Sequence, residues 1–134
     1  MGLSIHETVL YATEPAVVAA FYERVLGLRQ LPGADDESAG LRMPDGDAVL
    51  LVFSPERARE EGRGVPTHGA MGPGHVAFRV RPGSLDEWRR RLAESGVEIE
   101  LERGWSRGGR SLYFRDPAGN SAELVEGHVW PDAP

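Results

Sequence analysis

The stretch from Arg110 to Glu126, RSLYFRDPAGNSAELVE, decides how the rest of the chain is read. Its two ends, Arg110 to Arg115 and Ser121 to Glu126, carry Leu112, Tyr113, Phe114, Leu124 and Val125 on either side of a turn and read as strands. Between them, Asp116-Pro117-Ala118-Gly119-Asn120 supplies turn chemistry. Proline presets φ, glycine accepts positive φ, and Asp and Asn bond to nearby backbone. A hairpin is expected. Met43-Pro44-Asp45-Gly46 looks like the same element used once before, set between Gly40 to Met43 and Ala48 to Phe53.

The repeat extends outward from these hairpins. Before the later one, Gly74 to Arg81 reads as a strand. Ser84 and Glu87 stand at capping-box spacing. Leu85, Trp88 and Leu92 form one apolar helix face, Gly96 stops it, and Val97 to Leu101 alternates apolar with acidic, as a strand would. Before the earlier one, Ile5 to Ala12 reads as a strand. Pro15 opens a helix whose Val17, Val18, Phe21, Val25 and Leu26 recur at helical spacing until Gly27. Leu28 to Leu31 is a short strand. The expected fold class is therefore α+β, two tandem βαβββ modules at about 3–54 and 74–127, within one domain spanning 1–134. Each module leaves one sheet face free, and the two faces together form an open-barrel cavity suited to a small ligand. The Gly- and Pro-rich segment 55–73 joins them as a spacer or a flap, with a helical turn near Glu56 to Glu61. Trp130 to Pro134 is expected to be a frayed tail.

Composition narrows the chemistry. The chain has 134 residues, enough for one domain with a real core. A net charge of −6 argues against nucleic acid, which needs a clustered basic surface. No apolar run approaches the ~20 residues that cross a bilayer. Met1 to Ile5 shows no signal-peptide pattern, so the expectation is a cytoplasmic protein with no membrane partner. There is no cysteine, hence no thiol nucleophile and no thiolate metal site. All fifteen cationic side chains are arginine, which removes Schiff-base chemistry and the P-loop lysine.

At this point the chain resembles the vicinal oxygen chelate superfamily (the glyoxalase, bleomycin-resistance and dioxygenase-like proteins). The resemblance is carried by Phe21-Tyr22-Glu23-Arg24-Val25-Leu26-Gly27-Leu28, by Gly74-His75-Val76-Ala77-Phe78-Arg79-Val80, and by Tyr113 to Leu124. It implies the fold of the glyoxalase/bleomycin resistance/dihydroxybiphenyl dioxygenase type, with metal ligands on the first, fourth, fifth and eighth strands. His75 fits the fifth-strand position and Glu123 the eighth. For the first strand, the family places its ligand fourteen residues before the Phe of Phe21-Tyr22, which is Glu7, with His6 as the alternative. Adjacent strand residues face opposite ways, so only one of the two can face the cavity. Val49-Leu50-Leu51-Val52 offers no fourth-strand donor.

The resemblance then implies a divalent ion (Mn, Ni, Zn, Mg or Fe) held by Glu7, His75 and Glu123, in a homodimer whose composite sites take Glu7 from one chain and the other two from its partner. One imidazole and two carboxylates point to Lewis-acid work rather than to O2 chemistry, which usually employs two histidines and one carboxylate. The expected function is a glyoxalase-like lyase or isomerase acting on a small molecule with vicinal oxygens, with Glu7, Glu123 or His68 as base. The alternatives are an antibiotic-binding protein of the bleomycin type without a catalytic metal, a dioxygenase, and a fosfomycin-type thiol transferase. His68 lies in the connector, where it is read as a base or a substrate contact on a flap. Trp105, Arg107, Arg110, Ser111 and Tyr113 cluster around the seventh strand, and Trp105, Arg110 and Tyr113 are expected to wall the substrate pocket.

Overall fold

The computed structural model describes residues 1–132, so Ala133 and Pro134 of the expected tail lie outside the described residues. The chain divides into two units, Met1–Gly74 and His75–Pro134. The first runs β1 (Glu7–Tyr11), α1 (Pro15–Leu26), β2 (Arg29–Gln30), β3 (Ser38–Arg42), β4 (Val49–Phe53) and a short α2 (Pro55–Ala58). The second runs β5 (His75–Arg79), α3 (Leu85–Glu94), β6 (Leu101–Gly104), β7 (Arg110–Arg115) and β8 (Ser121–Glu126). The sheets have matching orders, β1-β4-β3-β2 and β5-β8-β7-β6. In each the first pairing is parallel and the others antiparallel. Among the described residues no helix is long and apolar enough to cross a membrane.

Pleating sorts the side chains of each sheet. In the first unit Leu10, Ala39, Leu41, Leu50 and Val52 are buried, together with Val18, Tyr22, Val25 and Leu26 of α1. Pro15 enters α1 where a missing N–H is harmless. Gly27 ends it in the left-handed conformation, φ 76°, with its N–H donating to Glu23 O. In the second unit Leu112, Phe114, Ala122 and Leu124 are buried along with Leu85 and Leu92 of α3. The connector belongs to the first unit. Arg63 donates to Ala58 O at 3.1 Å, pairs with Glu37 and lies over the Phe53 ring.

Two local expectations give way to tertiary contacts. The strand expected over Val97 to Leu101 begins only at Leu101 and runs to Gly104, because β7 offers its register partners from Leu101 onward. The Ser84/Glu87 capping box does not form. The Ser84 hydroxyl turns back to donate to Arg81 O at 2.5 Å. Instead, Glu126 of β8 accepts from the N–H groups of Gly83 (2.8 Å) and Leu85 (3.1 Å). A carboxylate from the sheet thus satisfies the first orphan donor of the α3 N-terminus, the Leu85 N–H, and ties down the Gly83 N–H before it. Ser84→Ala is therefore expected to change stability by less than ~0.5 kcal/mol, and Glu126→Ala to lower it by about 1–3 kcal/mol; urea denaturation of the two variants checks the contrast.

Candidate metal-binding pair and its surroundings

In the second unit the face turned away from the buried core carries the polar residues. Across the sheet, Tyr113 stands directly opposite Glu123, and Arg103 opposite Ser111. His75 opens β5 opposite Ser121, two residues before Glu123 on the neighbouring strand. The pleat therefore gathers His75, Ser111, Tyr113 and Glu123 on one side.

Glu123 is 7% exposed, so its carboxylate has left water and must find donors. It has them. The Ser111 hydroxyl donates to Oε2 at 2.6 Å. Ser111 Oγ in turn accepts from Trp105 Nε1 at 2.8 Å. On the other side Oε1 lies 3.3 Å from His75 Nε2. His75 Nδ1 is 3.1 Å from Ser121 O, and its ring stacks near Tyr113, with centroids 6.3 Å apart and planes at 25°.

Proton counting makes His75 informative. A neutral imidazole has one N–H, and a carbonyl oxygen can only accept it. With that proton on Nδ1 toward Ser121 O, Nε2 presents a lone pair to a carboxylate oxygen. Two acceptors 3.3 Å apart need a cation between them or a second proton on the ring. Bonds of about 2.1 Å to one ion place adjacent donors about 3 Å apart, so the separation suits a shared divalent ion. The outer contacts suit it too, since a ligand histidine ordinarily donates its other N–H to a carbonyl or carboxylate. Among the described residues no group of three or more His, Asp or Glu side chains converges to hold an ion.

Tyr113 is held in its neutral form. Burial pushes its phenol above the ordinary value of 10.0, the Glu123 charge pushes it further, and Ser111 and Arg103 partly oppose this. Arg103 itself stacks on Trp105, its guanidinium carbon 4.4 Å from the ring centroid.

The other expected site residues are distributed as follows. Glu7 begins β1 opposite Val49, in the alternation of Val9 and Tyr11 and away from the buried Leu10. His6 precedes the strand, and its carbonyl accepts from Val49 N at 3.1 Å. His68 stands in the first unit with Nδ1 2.6 Å from Tyr11 Oη and its ring edge-on to Phe53 at 4.8 Å. Trp105 joins the Glu123 cluster through Ser111. Arg110 does not. It alternates with Ser111, so it lies on the opposite face with Leu112 and pairs with Glu126 (3.4 Å) and Asp86 (3.2 Å). Arg107 lies exposed in the turn before β7. Sequence reasoning gave Ser111 and Arg103 no individual role. The usable signal was the two-residue period of β7, which puts Ser111 with Tyr113 and excludes Arg110.

Two units of one βαβββ topology, with a histidine and a glutamate facing each other across β5 and β8, define the class of protein. The chain belongs to the Glyoxalase/Bleomycin resistance protein/Dioxygenase superfamily, whose family model matches residues 4–124. Among solved structures it is similar to a lactoylglutathione lyase from Agrobacterium tumefaciens, with TM-score 0.89 and 34% identity over 96% of this chain and 97% of that one. It is 28% identical to the metallothiol transferase FosB of Bacillus licheniformis over 96% of this chain and 78% of that protein. It is 31% identical to the putative ring-cleaving dioxygenase MhqE of Bacillus subtilis over 72% of this chain, which spans 33% of that longer protein.

The Tyr113 environment has a measurable consequence. A phenol whose folded pKa is raised contributes stability that is fully present below its unfolded value near 10.0 and is lost as pH rises through the folded value. Alkaline absorbance titration, differenced against Tyr113→Phe, is expected to place this phenol above the ordinary value, and Glu123→Gln to bring it back down.

Proposed function

We propose that the protein is a metal-dependent enzyme of the lyase or isomerase kind, a cytoplasmic homodimer acting on a small molecule with two neighbouring oxygens. The observation that carries this reading is the His75 Nε2 to Glu123 Oε1 approach, with His75 Nδ1 committed to Ser121 O. The 34% identity to a lactoylglutathione lyase across nearly the whole chain supports the same class of chemistry. His75 and Glu123 would hold the ion, one of Mn, Ni, Zn, Mg or Fe. Glu7 would be the third ligand, supplied by a second copy of the chain. The symmetry of the repeat supports that choice. Glu7 opens β1 opposite Val49 in the same register that His75 opens β5 opposite Ser121. Leu51 holds the place equivalent to Glu123, so the first module offers one donor where the second offers two.

A divalent ion there would supply electrostatic stabilisation of negative charge developing on a substrate oxygen. The remaining work falls to the chain. Ser111 holds Oε2 of Glu123, leaving Oε1 directed at His75. The neutral Tyr113 phenol hydrogen-bonds Glu123 and would help hold that carboxylate beside His75. A carboxylate oxygen of Glu7 or Glu123 would take the proton from the substrate carbon. Thiol transfer is a second reading, favoured by the similarity to the metallothiol transferase across 96% of the chain. It would use the same ion and the same three ligands.

Elemental analysis of protein purified without a metal-binding tag tests the metal. About one divalent ion per chain is expected in wild type, and loss of it in His75→Ala, Glu123→Ala and Glu7→Ala. Ser111→Ala is expected to weaken metal affinity about tenfold while leaving the fold intact. Wild type that takes up no ion after dialysis against Mn, Ni, Zn and Fe(II) would overturn the proposal and leave a metal-free binding protein. Formation of lactoylglutathione, set against thiol addition to fosfomycin, separates the two enzymatic readings.

A further inference from the structure

The open face of the first unit's sheet ends in a histidine that the metal chemistry leaves without a role. His68 is held on several sides. Its N–H donates to Ala58 O at 3.1 Å. Its ring meets Phe53 edge-on and Tyr11 at a tilt, with centroids 4.8 and 5.8 Å away. Gly69, the next residue, passes so close to α2 that a Cβ there would come within 2.7 Å of Arg59 Cγ and 3.0 Å of Pro55 O. The segment read as a spacer or a flap thus packs the His68 ring against Phe53 and Tyr11.

The two nitrogens of that ring differ. Nδ1 is 2.6 Å from Tyr11 Oη. Nε2 has no hydrogen-bond partner among the described residues, and no buried side-chain nitrogen or oxygen among them lacks one, so Nε2 is open to solvent. The half-buried Val9, Leu51 and Phe53 share the alternation of Tyr11 on this sheet face, which is turned away from the buried core. A phenol O–H is a better donor than a neutral imidazole N–H, and an imidazole lone pair a better acceptor than a phenol oxygen. The favoured arrangement has Tyr11 donating into Nδ1, with the ring proton on Nε2.

We propose that Tyr11 holds His68 as the Nε2–H tautomer, and that His68 thereby donates a hydrogen bond to an acceptor oxygen, carbonyl or carboxylate, of a small molecule seated against Val9, Leu51 and Phe53. The inference rests on the reading of the protein as acting on a small oxygenated molecule. It sets aside the other role open to His68: a ring whose one free lone pair is already occupied by a phenol proton is not a base. Tyr11 is a positioning residue, acting through the tautomer it selects.

Nitrogen-15 spectroscopy of the His68 ring in the full chain as purified reads the tautomer directly. The expected pattern is a protonated Nε2 and an accepting Nδ1. Protonation at Nδ1 overturns the proposal. Calorimetric binding of phenylacetate, an apolar ring with one carboxylate, tests the donor. His68→Gln keeps an N–H donor but cannot act as a base, and it is expected to bind within about threefold of wild type. His68→Leu is expected to bind about tenfold more weakly, and Tyr11→Phe to fall between them. Binding by Gln as weak as by Leu, or no binding by wild type, overturns the donor role. Matching urea midpoints identify folded variants. Repeating both measurements after chelation separates this outcome from failure of the metal assignment, because neither readout requires the ion.

Discussion

Pleating divides the side chains of every strand between two faces, and in each unit of this protein one face is committed to an apolar core. Leu112, Phe114, Ala122 and Leu124 take the core side of β7 and β8. Their neighbours Ser111, Tyr113 and Glu123 are thereby forced together on the other side. A one-residue slip of either strand would bury the polar set and expose the apolar one, so the hydrophobic pattern that holds the sheet also fixes the site's membership.

The buried carboxylate of Glu123 then organises what surrounds it. A charge at 7% exposure is tolerable only with donors at hand, and they form a chain from Trp105 through Ser111 to Oε2, with His75 at Oε1. The two modules put the same geometry to different chemical ends. Where the second unit has Ser121, Glu123 and Val125 along its central strand, the first has Val49, Leu51 and Phe53. One open face is polar, gathering His75, Ser111, Tyr113 and Glu123. The other is mostly apolar, with Glu7 at one end of β1 and the Tyr11–His68 contact at the other.

Charge is used structurally on the core side of the second sheet. Glu126 reaches the start of α3 and takes over the capping that Ser84 was expected to provide. Arg110 follows it there, linking Glu126 to Asp86. The Asp86 carboxyl is held below its ordinary range, first by Arg89 and then by Arg110. An arginine that looked like a substrate contact is instead part of the clamp between a helix and its sheet.

The sequence by itself determined the element order, the internal repeat, both hairpins and the start and stop of α1. Those depend on local matters: turn residues, proline and glycine at helix ends, and the period of apolar positions. It also identified His75 and Glu123 as a pair, through a family resemblance carried by motifs at the right spacing. Only the tertiary structure decided which residues complete their surroundings. Ser111 and Arg103 reach Glu123 and Trp105, and Arg110 does not, because membership of a face depends on strand register. His68 meets Tyr11 across 57 residues of chain, and Glu126 meets the α3 N-terminus across 41, contacts no local pattern encodes. Local preference set each segment's conformation; pairing between distant segments set which side chains share a face, and that is where the chemistry of this protein resides.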